Sequence, residues 1–356
     1  LGADIPKWSI AQNDKASGGQ PETLDIKWAD VAAGKMKAAF EKNKVEEIEV
    51  TPFKLGATEV TYRQWKQVYF WALDKGYVFD RDGDMGSMDF KRYFNDHTPD
   101  EPVTDIGYYD MMVWCNALSE MQGKTMMFYS DKEKTKPYKS ALRYRSHEYR
   151  NIDHLVIKER KTLKLADIPL VYMKWDQEGY RLPTQAEWQH AHSGGTKGEF
   201  PWGGEMGNAN QGVGEYAWYL GNSDHRTHEV AKKKPNGFGL FDMDGNAIEY
   251  VQDGAYKGNG KFQRGQTKNP VSYATAAGFD DHSRFQAVRN GFMYDDFVGF
   301  ENASLNETEI WAGTFLNQGY PDMGFRVALI PKGVYHPDGV DPDAKPPFAT
   351  PLDLNR

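Results

Sequence analysis

Apolar positions between residues 61 and 123 recur at helical spacing. Trp65, Val68, Tyr69, Ala72 and Leu73 share one face of a predicted helix that Gly76 stops. Thr61 and Gln64 form a T-x-x-Q capping box at its start, in which the hydroxyl and the amide each satisfy a backbone N–H that the first turn leaves open. Met111, Trp114, Cys115 and Leu118 write a second helix that closes near Gly123. A third, short helix is predicted from Gln185 to about His192, with Thr184 and Glu187 as its capping box and Pro183 fixing the approach.

Strand patterns are shorter. Val45, Ile48 and Val50 predict a strand, and the stretch from Trp28 to Lys42 before it reads as helix-like. Residues 129–165 are rich in Lys, Arg and Tyr with little periodicity, which predicts a surface excursion with short hairpin strands around YKSALRYRS. After the third helix the chain offers glycine-rich loops, turns and short strands. Pro331, Pro337, Pro342, Pro346, Pro347 and Pro351 preclude a helix at the end and predict an extended tail. The division expected is a segment 1–50 packing on the domain, a main domain 51–330 and a tail 331–356, in an α+β fold with little regular secondary structure.

Composition narrows the function classes. With 39% hydrophobic and 26% charged residues the chain has the balance of a globular protein. Its 43 basic and 51 acidic side chains are interspersed and sum to −8, which argues against a nucleic-acid footprint. No apolar run reaches the roughly 18 residues that a membrane span needs. The first residues, LGADIPKWSIAQND, lack the basic start and apolar stretch of a signal peptide, so the chain reads as a mature form. Its one cysteine, Cys115, excludes an internal disulfide and falls on an apolar helical stripe, where a buried, unreactive thiol is expected.

Five stretches taken in order resemble the formylglycine-generating-enzyme, or sulfatase-modifying-factor, family: LGATEVTYRQWKQV (55–68), PVTDIGYYDMMVWCNALSEMQGK (102–124), YRLPTQAEWQHAHSGGTKGEFPWGG (180–204), PNGFGLFDMDGNAIEYVQD (235–253) and GFRVAL (324–329). The resemblance implies an elaborated C-type-lectin-like fold. It also implies structural calcium beside the turn at Gly245, with Asn246 and Glu249 as candidate ligands and Asn210 as a candidate for a second site. The alternative for the first pair is that Asn246 hydrogen-bonds the turn and Glu249 pairs with an arginine.

The chain departs from the family's enzymes at the catalytic pair. Two thiolates there hold copper(I), a soft ion that suits sulfur ligands. Counting from Arg289, the two positions here fall near Asp295 and Phe300, so the two-cysteine copper chemistry is excluded. A three-histidine site has no pattern to support it: His190 and His192 read as a partly exposed helix end, and His225 and His228 as loop residues. Asp80, Asp82 and Asp84 alternate as in a calcium loop, but Met85 stands where such a loop needs glycine.

The late segment mixes aromatic, amide and carboxylate side chains, a chemistry suited to gripping a protein or glycan. Its candidate ligand-binding residues are Arg289, Asn290, Tyr294, Asp295, Asp296 and Trp311. The expected function is a non-catalytic member, periplasmic, cell-surface or secreted, that binds such a partner or forms part of a surface assembly. The competing expectation is a metal-dependent oxidoreductase, of the kind found in siderophore maturation, with ligands such as Asp295, Asp296 and His282.

Overall fold

The computed structural model describes residues 24–40, 44–86, 97–141, 171–196, 212–219, 221–224, 226–252, 267–271, 285–288, 310–314 and 323–333. The three predicted helices are present. In α1 (Tyr62–Asp74) the Thr61 hydroxyl accepts from the Gln64 N–H at 3.2 Å, while the Gln64 side chain accepts from the Thr61 N–H at 3.0 Å. In α2 (Tyr108–Met121) the Asp110 carboxylate takes the Gly107 N–H. The third, α3 (Gln185–His192), begins with the expected Thr184–Glu187 box. A single turn, α4 (Val213–Tyr216), follows.

Two small sheets carry the rest. In the first, β4 (Phe53–Gly56) pairs antiparallel with β1 (Trp28–Val31) on one side and with β14 (Ala328–Ile330) on the other, and β14 in turn pairs with β9 (Gly179–Arg181). In the second, β10 (Ile248–Tyr250) lies parallel to β13 (Met323–Phe325) and antiparallel to β11 (Phe285–Val288), which pairs with β12 (Ile310–Thr314). Three two-stranded pairs complete the described strands: β2 (Gly34–Phe40) with β3 (Lys44–Val50), β5 (Asp84–Met85) with β6 (Val103–Thr104), and β7 (Phe128–Tyr129) with β8 (Tyr172–Met173).

The strand expected at Val45, Ile48 and Val50 is β3. The helix-like reading of Trp28 to Lys42 is corrected: this stretch forms β1 and β2, separated by a short break. Helix propensity is worth only tenths of a kcal/mol per Ala or Lys, and pairing with β4 and β3 buries Val31, Ile48 and Val50. Of the strands expected around YKSALRYRS, single bridges place Ser140 against Val78 and Pro137 against Tyr129, and residues 142–170 lie outside the described set. So do 334–356 of the tail.

Two cores result. Trp65 of α1 and Trp114 of α2 lie parallel, ring centroids 5.9 Å apart, and Phe325 of β13 meets both edge-on. Asn116 is buried in this core with both ends of its amide used: Oδ1 accepts from the Met127 and Phe128 N–H groups, and Nδ2 donates to the Phe128 and Tyr138 carbonyls. Cys115 is buried beside it, and burial pushes its thiol far above the ordinary range, so the inert thiol expected from the sequence is what the fold contains. The second core packs α3, through Ala186, Trp188 and Ala191, against Val31, Val50, Phe53, Leu55, Ala328 and Ile330. No helix among the described residues is long and apolar enough to cross a membrane.

Candidate functional site

Four of the five sequence stretches meet at one buried guanidinium. Arg326, at the junction of β13 and β14, is fully buried. Its Nε donates to Glu249 of β10 at 2.7 Å, its Nη1 to the Gly56 carbonyl at the end of β4, and its Nη2 to the Phe241 carbonyl. The remaining Glu249 contact comes from α3, where the Trp188 indole donates to Oε2 at 2.7 Å. Burial opposes the charge on Arg326, but the charge and hydrogen bonds of Glu249 outweigh it and hold the guanidinium proton more tightly than usual.

Two more carboxylates face this pair. Glu59, in the loop from β4 to α1, is fully buried, and neither of its oxygens has a side-chain or backbone hydrogen-bond partner among the described residues. Burial, with the charge of Asp242 behind it, raises its proton affinity well above the ordinary carboxylate range, against the pull of Arg326. Asp242 accepts the Ala231 N–H at 2.7 Å through one oxygen, and the other has no partner among the described residues. Burial pushes its pKa up to about 6.

The turn that leads into β10 is shaped by backbone. Gly245 has φ +79°, and a Cβ there would lie 1.9 Å from the Trp218 carbonyl oxygen, so only glycine fits. Asn246 is buried; its Oδ1 accepts from the His228 N–H at 2.9 Å and its Nδ2 donates to the His228 carbonyl. These partners test the calcium expectation. The Glu249 oxygens are held by a guanidinium and an indole and the Asn246 oxygen by the His228 N–H, while both Glu59 oxygens and one Asp242 oxygen beside them have no partner among the described residues. Asn246 thus hydrogen-bonds the turn and Glu249 pairs with an arginine, the contacts that the alternative named. Among the described residues no group of three or more His, Cys, Asp or Glu side chains is arranged to hold a metal ion. Asn210 lies outside those residues.

The histidine expectation is corrected in part. His190 and His192 do not form an exposed helix end. His190 Nε2 lies 2.9 Å from the Ala32 carbonyl, and His192, stacked on Trp188, meets Asp244 at 2.9 Å with both partners buried. His228 is a loop residue, as expected, and stacks on Trp218 with centroids 3.8 Å apart; His225 lies outside the described residues. The Asp80–Asp84 loop turns its Asp82 carbonyl inward to the Trp65 indole and the Lys66 ammonium, so it braces α1.

Of the late segment, Trp311 is on β12 in register with Ala287 of β11. Arg289, Asn290, Tyr294, Asp295, Asp296 and His282 fall outside the described residues. What sequence reading missed is the buried role of Arg326, Glu59 and Asp242. All three stand within the quoted stretches, yet Arg326 and Glu249 are 77 positions apart, and no local pattern links them.

Comparison with known proteins matches residues 14–329 to the family model of the Sulfatase-modifying factor enzyme 1-like domain. The chain is 27% identical over 238 residues to Chaperone protein LppX of Paenibacillus barcinonensis, covering 62% of this chain and 69% of that one. It is 29% identical over 154 residues to Inactive C-alpha-formylglycine-generating enzyme 2 of Mus musculus, covering 39% of this chain and about half, 49%, of the mouse protein. Treponema denticola variable protein 1 superposes with a TM-score of 0.58 at 22% identity over 88% of this chain and 98% of that one, a likeness of fold. The α+β, lectin-like architecture expected from the motifs is thus the one observed.

Proposed function

The chain belongs to the family of Sulfatase-modifying factor enzyme 1-like domains, and we propose that it is a non-catalytic, extracytoplasmic member that grips a polypeptide through the face built by residues 289–320. The observation that carries this reading is the place of the one cysteine. Cys115 is in the core on α2, far above the ordinary thiol range, so no thiolate pair exists to hold copper(I). Two relatives support it by their names, one called a chaperone and one called inactive.

The proposed contact residues are Arg289, Asn290, Tyr294, Asp295, Asp296 and Trp311. A ligand face needs no convergent metal ligands, only aromatic area beside polar groups that pair with backbone amides. The surrounding fold supplies what such a face needs, a rigid base: β11 and β12 are anchored through β10 to the Arg326–Glu249 pair.

The test is equilibrium binding of the full chain to an immobilised, permanently unfolded polypeptide, with a glycan array in parallel. Saturable polypeptide binding that falls about tenfold or more in Trp311→Ala and in Asp295→Ala/Asp296→Ala supports the reading. Binding only to glycans would replace the ligand class. Near-stoichiometric iron or copper in chain purified without chelators, with oxygen uptake lost in Asp295→Ala, would instead establish the oxidoreductase.

A further inference from the structure

The hairpin of β2 and β3 has two edges, and among the described residues the fold pairs only one of them. On the β3 side the Glu49 N–H donates to the Thr267 carbonyl and the Glu49 carbonyl accepts the Asn269 N–H, each at 2.7 Å, with Glu49 bridged in parallel to Lys268. Both backbone groups of Glu49 therefore point away from β2. Lys35 stands opposite Glu49 in the antiparallel register, so these two residues exchange no backbone bond. The alternation of antiparallel pairs then turns the N–H and C=O groups of Lys35, Lys37 and Ala39 outward, onto an edge that meets no further strand among the described residues.

The side chains along the hairpin define what fits beside that edge. On the inner face Met36 packs with the buried Ile48 and Val50 on the second core. On the outer face the exposed Lys35 meets Glu47 on the diagonal at 2.9 Å. Lys37, exposed and directly opposite Glu47, is left without an ion-pair partner among the described residues. Here β3 is the template for a strand that suits β2: carboxylates on the outer face and apolar side chains on the inner one. A second copy of β2 suits it badly, because the pairing would set lysine beside lysine.

We propose that the free edge of β2 takes up, as an added strand, an extended polypeptide in which acidic and apolar residues alternate. Main-chain bonds to Lys35, Lys37 and Ala39 supply the affinity, and the unpaired Lys37 ammonium selects carboxylates on the outer face. The edge is separate in sequence from the face at 289–320, and either can bind without the other.

The test uses the full chain and two capped peptides of about strand length, one alternating Glu with Val and the other Lys with Val. Fluorescence anisotropy should show saturable binding of the Glu peptide that weakens with added salt, and hydrogen exchange should show new protection at the Lys35, Lys37 and Ala39 amides. Lys37→Pro deletes an outward N–H, which an edge strand tolerates, and should weaken binding about tenfold with the urea midpoint kept. Lys37→Glu leaves every backbone group in place; it should weaken the Glu peptide and admit the Lys peptide. Absence of saturable binding, equal binding of the two peptides by the wild type, or an unchanged preference in Lys37→Glu overturns the proposal. Protection of the same amides before any peptide is added also overturns it: where it grows with protein concentration a second copy occupies the edge, and where it does not another stretch of this chain does.

Discussion

Among the described residues two arginines are completely buried, and the fold balances them in opposite ways. Arg181 at the end of β9 meets Glu187 of α3 through two parallel bonds of 2.7 Å and donates to the Leu182 carbonyl. One cation answers one anion, six positions apart, and Glu187 also accepts the Thr184 N–H of its own capping box. Arg326 has an equally close partner in Glu249 but 77 positions away, with Glu59 and Asp242 as surplus carboxylates. The first pair fastens a helix to the strand before it. The second ties four separate segments together with two further carboxylates beside it, so the same ion-pair chemistry yields a local clasp in one place and a long-range joint in the other.

Removing the joint should do the most damage. Arg326→Met deletes the partner of Glu249 and leaves three buried carboxylates facing one another, an expected loss of about 5 kcal/mol in urea unfolding near neutral pH. The loss should shrink as pH falls, because protons can take over from the guanidinium. Arg181→Met should cost about 3 kcal/mol, less than Arg326→Met because Glu187 keeps its capping N–H and no third carboxylate is stranded. Equal losses, or a larger one at Arg181, would break the contrast between the clasp and the joint.

The capping box that Glu187 serves was legible in the sequence and the two buried ion pairs were not, and distance along the chain explains why the joint in particular was hidden. Thr61, Gln64, Thr184 and Glu187 each act within one turn, so capping boxes and helix faces follow from spacing alone. The buried setting of Cys115 follows from the same periodicity. The stretch from Trp28 to Lys42 misled because its Ala and Lys residues favour helix while its structure is decided by strands β3 and β4. His190 and His192 misled for a related reason: the Ala32 carbonyl and Asp244 that cover them belong to remote segments. For Glu249, the family resemblance implied a cation, and only the fold brings Arg326 onto it. The proposed ligand residues before β12 lie outside the described residues, so their reading rests on sequence pattern and on the strands that flank them.

The smallest effect sharpens the comparison from the local side. Thr61 and Thr184 both begin helices with the same box, but Glu187 serves the box and Arg181 at once, whereas Gln64 serves the box and the Asp25 carbonyl, an exposed contact. Thr61→Ala should therefore cost about 1 kcal/mol, the ordinary value of a lost N-cap. Thr184→Ala should cost about 2 kcal/mol, because loosening the first turn of α3 also lets the Glu187 carboxylate drift from the guanidinium that it neutralises. Urea unfolding of the two single variants, and of Thr184→Ala combined with Arg181→Met, separates the terms. A combined loss smaller than the sum means that cap and ion pair act as one local device. Strict additivity would mean that the clasp is two independent contacts that happen to share a residue, and the contrast with the four-segment joint would then rest on charge balance alone.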